Sequence, residues 1–493
     1  NNKQNHLNIK GITFRHFGKA TVENGGGTIY HDRTLDLRSI HHLTIDSCIF
    51  EWNNDPMLVT GASSFFTVQH CRFKDQTGLW SHAQVKKSND VYFQPLLGWV
   101  LPSTFGRSLE NAAISMFANE CRNYVVRNNY IDGYCNGITA NFATNTINDA
   151  DFYGNTITRS FDGIECDGPW RNLKVWGNDI SQMLAGISMA PPVGGPNYIF
   201  RNVFHHIISR WNVVDDPYYI GCQPVNSYFS QGLGIKTNSG STDGGALLYF
   251  INNTFHTADT LGFAAFIWDN EWGRMNWINN SFNSESEHLF YLASALNDTD
   301  FQLNSSHDHV DCPNGVLLQI KEIHGQFTCH ETPLAANMEE LIREVTGSER
   351  VSFRQTVQGD PKFKNPENGN FELEEGSPLI DVGLVLPGFY DYSGAAPDIG
   401  AKESAAAMSY VDSAPTNGLS IIFPNPTTNV WYIKSEEPID SGVLLDGYGK
   451  FIRRFSMSSG GIENLGAELP VGIFFLELTT HSKKVDRFKL FKH

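Results

Sequence analysis

With 493 residues, the chain is long enough for two or more domains. Its net charge of −17, with only 18% charged residues, argues against a nucleic-acid or anionic-membrane partner. No apolar run approaches the ~20 residues of a membrane span, and eight cysteines are too few for a disulfide framework in a chain of this length.

No signal peptide opens the chain. Residue 1 falls just before a repeat-like segment, HLNIKGITFRHFG, so the sequence reads as a mature or truncated form. Cys48 and Cys71 then begin a series of equivalent positions. It continues at Asn129, Asn155, Asn178 and Asn202, spaced by 26, 23 and 24 residues, and at Asn253 and Asn280. The residue two places on is nearly constant: Phe50, Phe73, Ile131, Ile157, Ile180, Phe204, Phe255 and Phe282. Self-similarity at a period in the twenties signals a solenoid. An inward Asn recurring at one turn bonds the backbone of neighbouring coils, and stacking makes one core of faces that a single coil cannot bury. Antiparallel hairpins in a sandwich are the alternative for short, evenly spaced strands.

Two gaps interrupt the period. Cys71 to Asn129 spans enough for two coils plus an insertion, with Val91-Tyr92-Phe93-Gln94 as the missing rung. Between Asn202 and Asn253 the excess falls in SRWNVVDDPYYIGCQPVNSYFSQ, an insertion placed to build a binding site. After Asn280 the pattern fades. His307-Asp308-His309 reads as a solvated loop, with metal ligation as the less favoured reading. Cys48 and Cys71 are either stacked thiols or a bridge, and Cys312 with Cys329 is the disulfide candidate. Met338, Leu341, Ile342 and Val345 fall at i, i+3, i+4 and i+7, the spacing of an amphipathic helix.

These repeats resemble a right-handed parallel β-helix of the pectate-lyase-like kind over roughly residues 7–290. GDPKFKNPENGNFELEEGSPLIDVG and PDIGAKE resemble the closing coil of bacterial β-helix proteins, placing the end of the solenoid near Glu403 after about ten coils. The expected fold is therefore all-β: a β-helix over 1–404, a small-residue linker over 405–418, and a β-sandwich over 419–493. That last segment resembles the type A sorting domain of the type IX secretion system. The resemblance rests on Pro424-Asn425-Pro426, Asp446 to Lys450, Leu469-Pro470-Val471-Gly472-Ile473-Phe474, and the basic strand Lys489 to Lys492. It implies a Bacteroidetes-type protein carried through the periplasm to the outer surface or medium, with a translocon and an outer-membrane shuttle barrel as partners.

Chemistry is expected on the strand after each Asn rung. A Gly-apolar pair opens it: Gly137-Ile138, Gly163-Ile164, Gly186-Ile187, Gly234-Ile235 and Gly262-Phe263. With the apolar residue inward, alternation sends Thr139 and Asn141, Glu165 and Asp167, Ser188 and Ala190, and Lys236 and Asn238 outward onto one exposed shelf. Glu165 and Asp167, ~6.5–7 Å apart along a strand, suit the acid and base of an inverting glycoside hydrolase. Asp162 is a third candidate. Lys236 keeps a lyase open, in which Lys236 is the base and calcium takes the acidic pair. A calcium site merely tying coils together, or a solvated acidic strand, are further readings of that pair. Asn141 and Asn238 are candidate substrate ligands, and Trp170, Trp211 and His82, beside Trp80, are candidate subsites. The expected function is thus cleavage of an extracellular polysaccharide, hydrolase ahead of calcium-dependent lyase, with a non-catalytic glycan-binding adhesin as the competing class.

Overall fold

The computed structural model describes residues 5–17, 33–53, 55–60, 63–74, 112–117, 122–134, 136–140, 147–189, 192–207, 210–212, 218–220, 223–225, 228–230, 233–237, 246–257, 263–268, 274–294, 301–322, 329–386, 389, 392, 394–404, 420–423, 430–435, 437–446, 450–458, 462–467, 469, 470, 472–483 and 485–492. The chain divides into two compact units, residues 1–384 with 398–404, and residues 405–493 with 385–397.

The first unit is a stack of parallel coils like a right-handed β-helix, built from three ladders. The first ladder runs from Asn5–Lys10 through His41–Asp46, Ser64–Gln69, Arg122–Arg127, Ile147–Tyr153, Gly168–Trp176, Asn197–Phe200, Leu247–Ile251, Arg274–Ile278 and Gln302–Ser306 to Val351–Arg354. The second opens at Thr13–Arg15 and the third at Arg33–Arg38. In two adjacent coils, strands Thr156–Glu165 and Asp179–Met189 run through the corner between second and third ladders, fusing them into one sheet.

The Asn rung sits at the turn from first to second ladder. Each residue before it has φ between 50° and 62°, from Ser47, His70, Asn128, Gly154 and Gly177 to Arg201, Asn252, Asn279 and His307. This left-handed turn leaves backbone groups without ladder partners. The side chains of the rung take them up. The backbone N–H and Nδ2 of Asn129 both donate to Asn155 Oδ1 (3.1 and 3.0 Å), while Nδ2 also donates to Val68 O (3.0 Å). The same pattern repeats through Asn178, Asn202, Asn253 and Asn280. Inside, two places on, stacked rings such as Phe204, Phe255 and Phe282 (4.7 and 5.2 Å) fill the core.

Several expectations change. Cys71 donates its N–H directly to Asn129 Oδ1 (2.9 Å), and Ser64–Gln69 pairs with Arg122–Arg127. The 71–129 gap is one coil carrying an insertion, not two coils; Val91 to Gln94 lie outside the described residues. Asn202 likewise bonds Asn253 (3.0 Å), and the insertion between them contains antiparallel pairs, Arg210–Asn212 with Tyr228–Ser230 and Tyr218–Ile220 with Gln223–Val225. The rung does not fade at Asn280. Asp308 occupies the next place, accepting from Asn280 N (2.7 Å) and Nδ2 (2.9 Å), so Asp308 and His309 are buried in the rung, with His307 half-buried at its turn, and the stretch is not a solvated loop. Cys48 and Cys71 are free stacked thiols, with Cys48 N–H donating to Cys71 Sγ at 3.4 Å. Cys312 is also a free thiol, donating to Ser286 O, so it is not bridged to Cys329.

The helix forms at Met338–Thr346, buries Met338, Ile342 and Val345 against the core, and ends at Gly347 with φ 72°. The chain then folds back along the outer side of the second ladder. Phe371 packs with Val203 and Ala401, Ala401 N–H donates to Thr254 Oγ1 (2.9 Å), and Arg201 pairs with Glu403 (3.0 Å).

The second unit is a small antiparallel sandwich. Ser420–Phe423, Trp431–Ser435 and Ile462–Leu465 form one sheet; Phe451–Met457, Ile439–Asp446, Gly472–Thr480 and Val485–Lys492 form the other. Trp431, Ile433, Leu444, Phe474, Leu476 and Leu490 fill the space between them.

Candidate active site

The candidate residues sit where the second and third ladders fuse. Ile138, Ile164, Ile187 and Ile235 point into the core, fully buried. The glycines before them allow the close approach of successive coils: a Cβ on Gly186 would lie 2.7 Å from Gly234 O and 2.7 Å from Phe204 Cδ1. With the isoleucines inward, register places Thr139, Glu165, Ser188 and Lys236 in one column over four coils. A second column runs Asn136, Asp162, Ala185 and Leu233.

The side chains converge across these columns. Asn136 Nδ2 and Thr139 Oγ1 both donate to Glu165 Oε2, at 2.7 and 2.8 Å, fixing the carboxylate from the neighbouring coil. Lys236 reaches back over two coils to Asp162 Oδ2 at 3.2 Å. Ser188 Oγ donates to Asp167 Oδ1 at 3.2 Å. Asp162 Oδ1 is buried and has no hydrogen-bond partner.

The shelf is not exposed, as alternation alone suggested. Asp162, Glu165, Asp167 and Lys236 keep 2, 7, 7 and 6% of their surface, so their charges interact with little screening. Burial pushes the Asp162 carboxyl up to about 6, with Glu165 adding to the rise and Lys236 opposing it. Burial alone would lower the Lys236 ammonium, but Asp162, Asp167 and Glu165 outweigh it and hold the group above its ordinary value. Cys166 faces the core between the two acids, its thiol raised well above the usual range by burial.

Trp170 is not a subsite. It points inward in the first ladder beside Leu173, 1% exposed, edge-on to Phe152 at 6.0 Å. Asn141, Asn238, Trp80 and His82 lie outside the described residues. Trp211 lies on strand Arg210–Asn212 of the insertion, and its side chain is likewise outside them. Asn136 was missed, although its signal was present: it precedes Gly137 as Asp162 precedes Gly163. Among the described residues no three His, Cys, Asp or Glu side chains are placed to hold a metal ion.

No family model matches the chain, and no curated protein does. Among solved structures it is similar to a double mutant of the tailspike protein of E. coli bacteriophage HK620. The two share 9% identity at a TM-score of 0.32, over 97% of this chain and 76% of that one.

Proposed function

We propose that the solenoid hydrolyses an extracellular polysaccharide at the Asp162, Glu165, Asp167 and Lys236 cluster. The observation that carries this reading is the Asp162 carboxyl, raised to about 6 and set on the same strand as Glu165. A carboxyl that holds its proton near neutrality beside a second, hydrogen-bonded carboxylate is the pairing that acid–base cleavage of a glycosidic bond needs. Asp162 gives its proton to the leaving glycosidic oxygen. Glu165 takes a proton from the water that adds to the anomeric carbon, leaving a reducing end and an alcohol. Asp167 and Lys236 set the local charge, and Asn141, Asn238 and Trp211 are the candidate contacts for the sugar.

Hydrolysis is favoured over β-elimination by the state of Lys236. A lysine bonded to Asp162 and flanked by two further acids stays an ammonium, and an ammonium abstracts no proton. Calcium stays the alternative occupant of the acidic pair in the lyase reading. Purified protein incubated with a glycan panel tests the choice: new reducing ends without ultraviolet absorbance, undiminished by chelator, are expected. An unsaturated, absorbing product would assign elimination instead, and glycan binding without any turnover would make the protein an adhesin.

We also propose that residues 419–493 are a type IX sorting domain that delivers the chain, through a translocon and a shuttle barrel, to the cell surface or the medium. The residues carrying that resemblance support it. Asp446 and Lys450 close a turn through paired bonds of 2.9 Å, and the basic strand Val485–Lys492 lies at the edge of its sheet, paired with Gly472–Thr480.

A further inference from the structure

We propose that the site selects an uncharged glycan, a chain of hydroxyls without carboxylate or sulfate groups. The inference rests on the hydrolytic reading above and adds the substrate class. It begins with the charge census among the described residues: with Asp162 holding its proton, Glu165 and Asp167 still stand against one cation, Lys236, and all four side chains are more than nine-tenths buried. A buried excess of negative charge repels an anionic ligand with little help from solvent.

The described cations on these strands are already engaged. Lys236 Nζ sits 3.2 Å from Asp162 Oδ2, so a uronate that took the ammonium would draw it away and leave the buried acidic cluster without its counterion. Arg159, on the same strand as Asp162 and Glu165, is held by Asp132 at 2.5 Å.

An independent feature states what the site does accept. Asp162 Oδ1 is a buried oxygen with no hydrogen-bond partner. A buried polar atom of this kind is stabilised by a partner brought by the ligand, and a sugar hydroxyl, which both donates and accepts, supplies one. The hydroxyl dipoles of a neutral chain satisfy the acidic cluster without adding charge to it.

The test uses the full chain and one polymer in two charge states: a polyuronate, and the same polymer with its carboxylates reduced to primary alcohols. Neutral glucan, xylan, mannan and galactan chains complete the set, and the Glu165→Gln variant is run beside the wild type. Cleavage of at least one neutral chain is expected, with kcat/KM on the free-acid polyuronate ~10-fold or more below that on its reduced form, a deficit that shrinks as salt is added. A free-acid polymer cut as fast as its neutral counterpart overturns the inference, and so does failure to cut any neutral chain. If Glu165→Gln abolishes polyuronate cleavage in that event, only the charge rule falls and hydrolysis at this site stands. If Glu165→Gln cuts every chain like the wild type, it is the hydrolytic assignment that falls.

Discussion

Asp308 shows how much a single residue can hide. It stands where Asn129 through Asn280 stand, and it serves the rung because a carboxyl Oδ1 accepts there as an amide oxygen does. Oδ1 accepts from Asn280, and Ser305 Oγ donates to Oδ2 at 2.6 Å. Burial raises its carboxyl to about 7 against an ordinary value of 3.8. The folded state therefore binds this proton more tightly than the unfolded chain. The stability it contributes is complete below pH ~4 and is lost as pH rises towards 7. His256 and His309, each lowered to about 4 by burial, act in the opposite sense, losing stability as pH falls. Comparing Asp308→Asn with wild type cancels those histidines. The variant is expected to be more stable by on the order of 1–3 kcal/mol at pH 8, with the gain fading towards pH 4, in denaturant unfolding at both pH values. A variant less stable than wild type at pH 8 would contradict the account. Trp170 was misread for a different reason. It was placed at the shelf's edge by its nearness to Asp167, whereas counting by twos from inward Ile164 through Cys166 turns it into the core, where it lies.

At the scale of elements, what repeats was legible and what is inserted was not. The Asn rung, the aromatic two places on and the Gly-Ile pairs each answer a contact made identically in every coil, so their spacing revealed the stack. The 71–129 gap was read as two coils because residue counts do not separate a coil from a loop. Lengthening a surface loop twofold costs only about 0.6 kcal/mol, so its length is loosely constrained. Strands Thr156–Glu165 and Asp179–Met189 also escaped notice, since no turn residue marks where two ladders fuse. The terminal sandwich was legible from its alternation and its turns. If it is the sorting signal, deleting residues 419–493 leaves the protein in the periplasm, read by fractionation and surface proteolysis. Normal surface delivery of the truncated chain would refute that role.

At the scale of the molecule, the columns Thr139–Glu165–Ser188–Lys236 and Asn136–Asp162–Ala185 gather residues up to 100 positions apart in sequence into one charged cluster. The acids were legible from their place after the rung. Their burial and the Lys236–Asp162 bond were not, because alternation states which way a side chain points and not what covers it. The central claim is that this cluster breaks glycosidic bonds, and its most direct test is turnover, as reducing ends released from a cleaved chain, in Asp162→Asn, Glu165→Gln and Asp167→Asn. The account predicts a loss of ~10²-fold or more for Asp162→Asn and Glu165→Gln and a smaller loss for Asp167→Asn, with unfolding still cooperative. Wild-type turnover in both of the first two variants, with the fold intact, would contradict it.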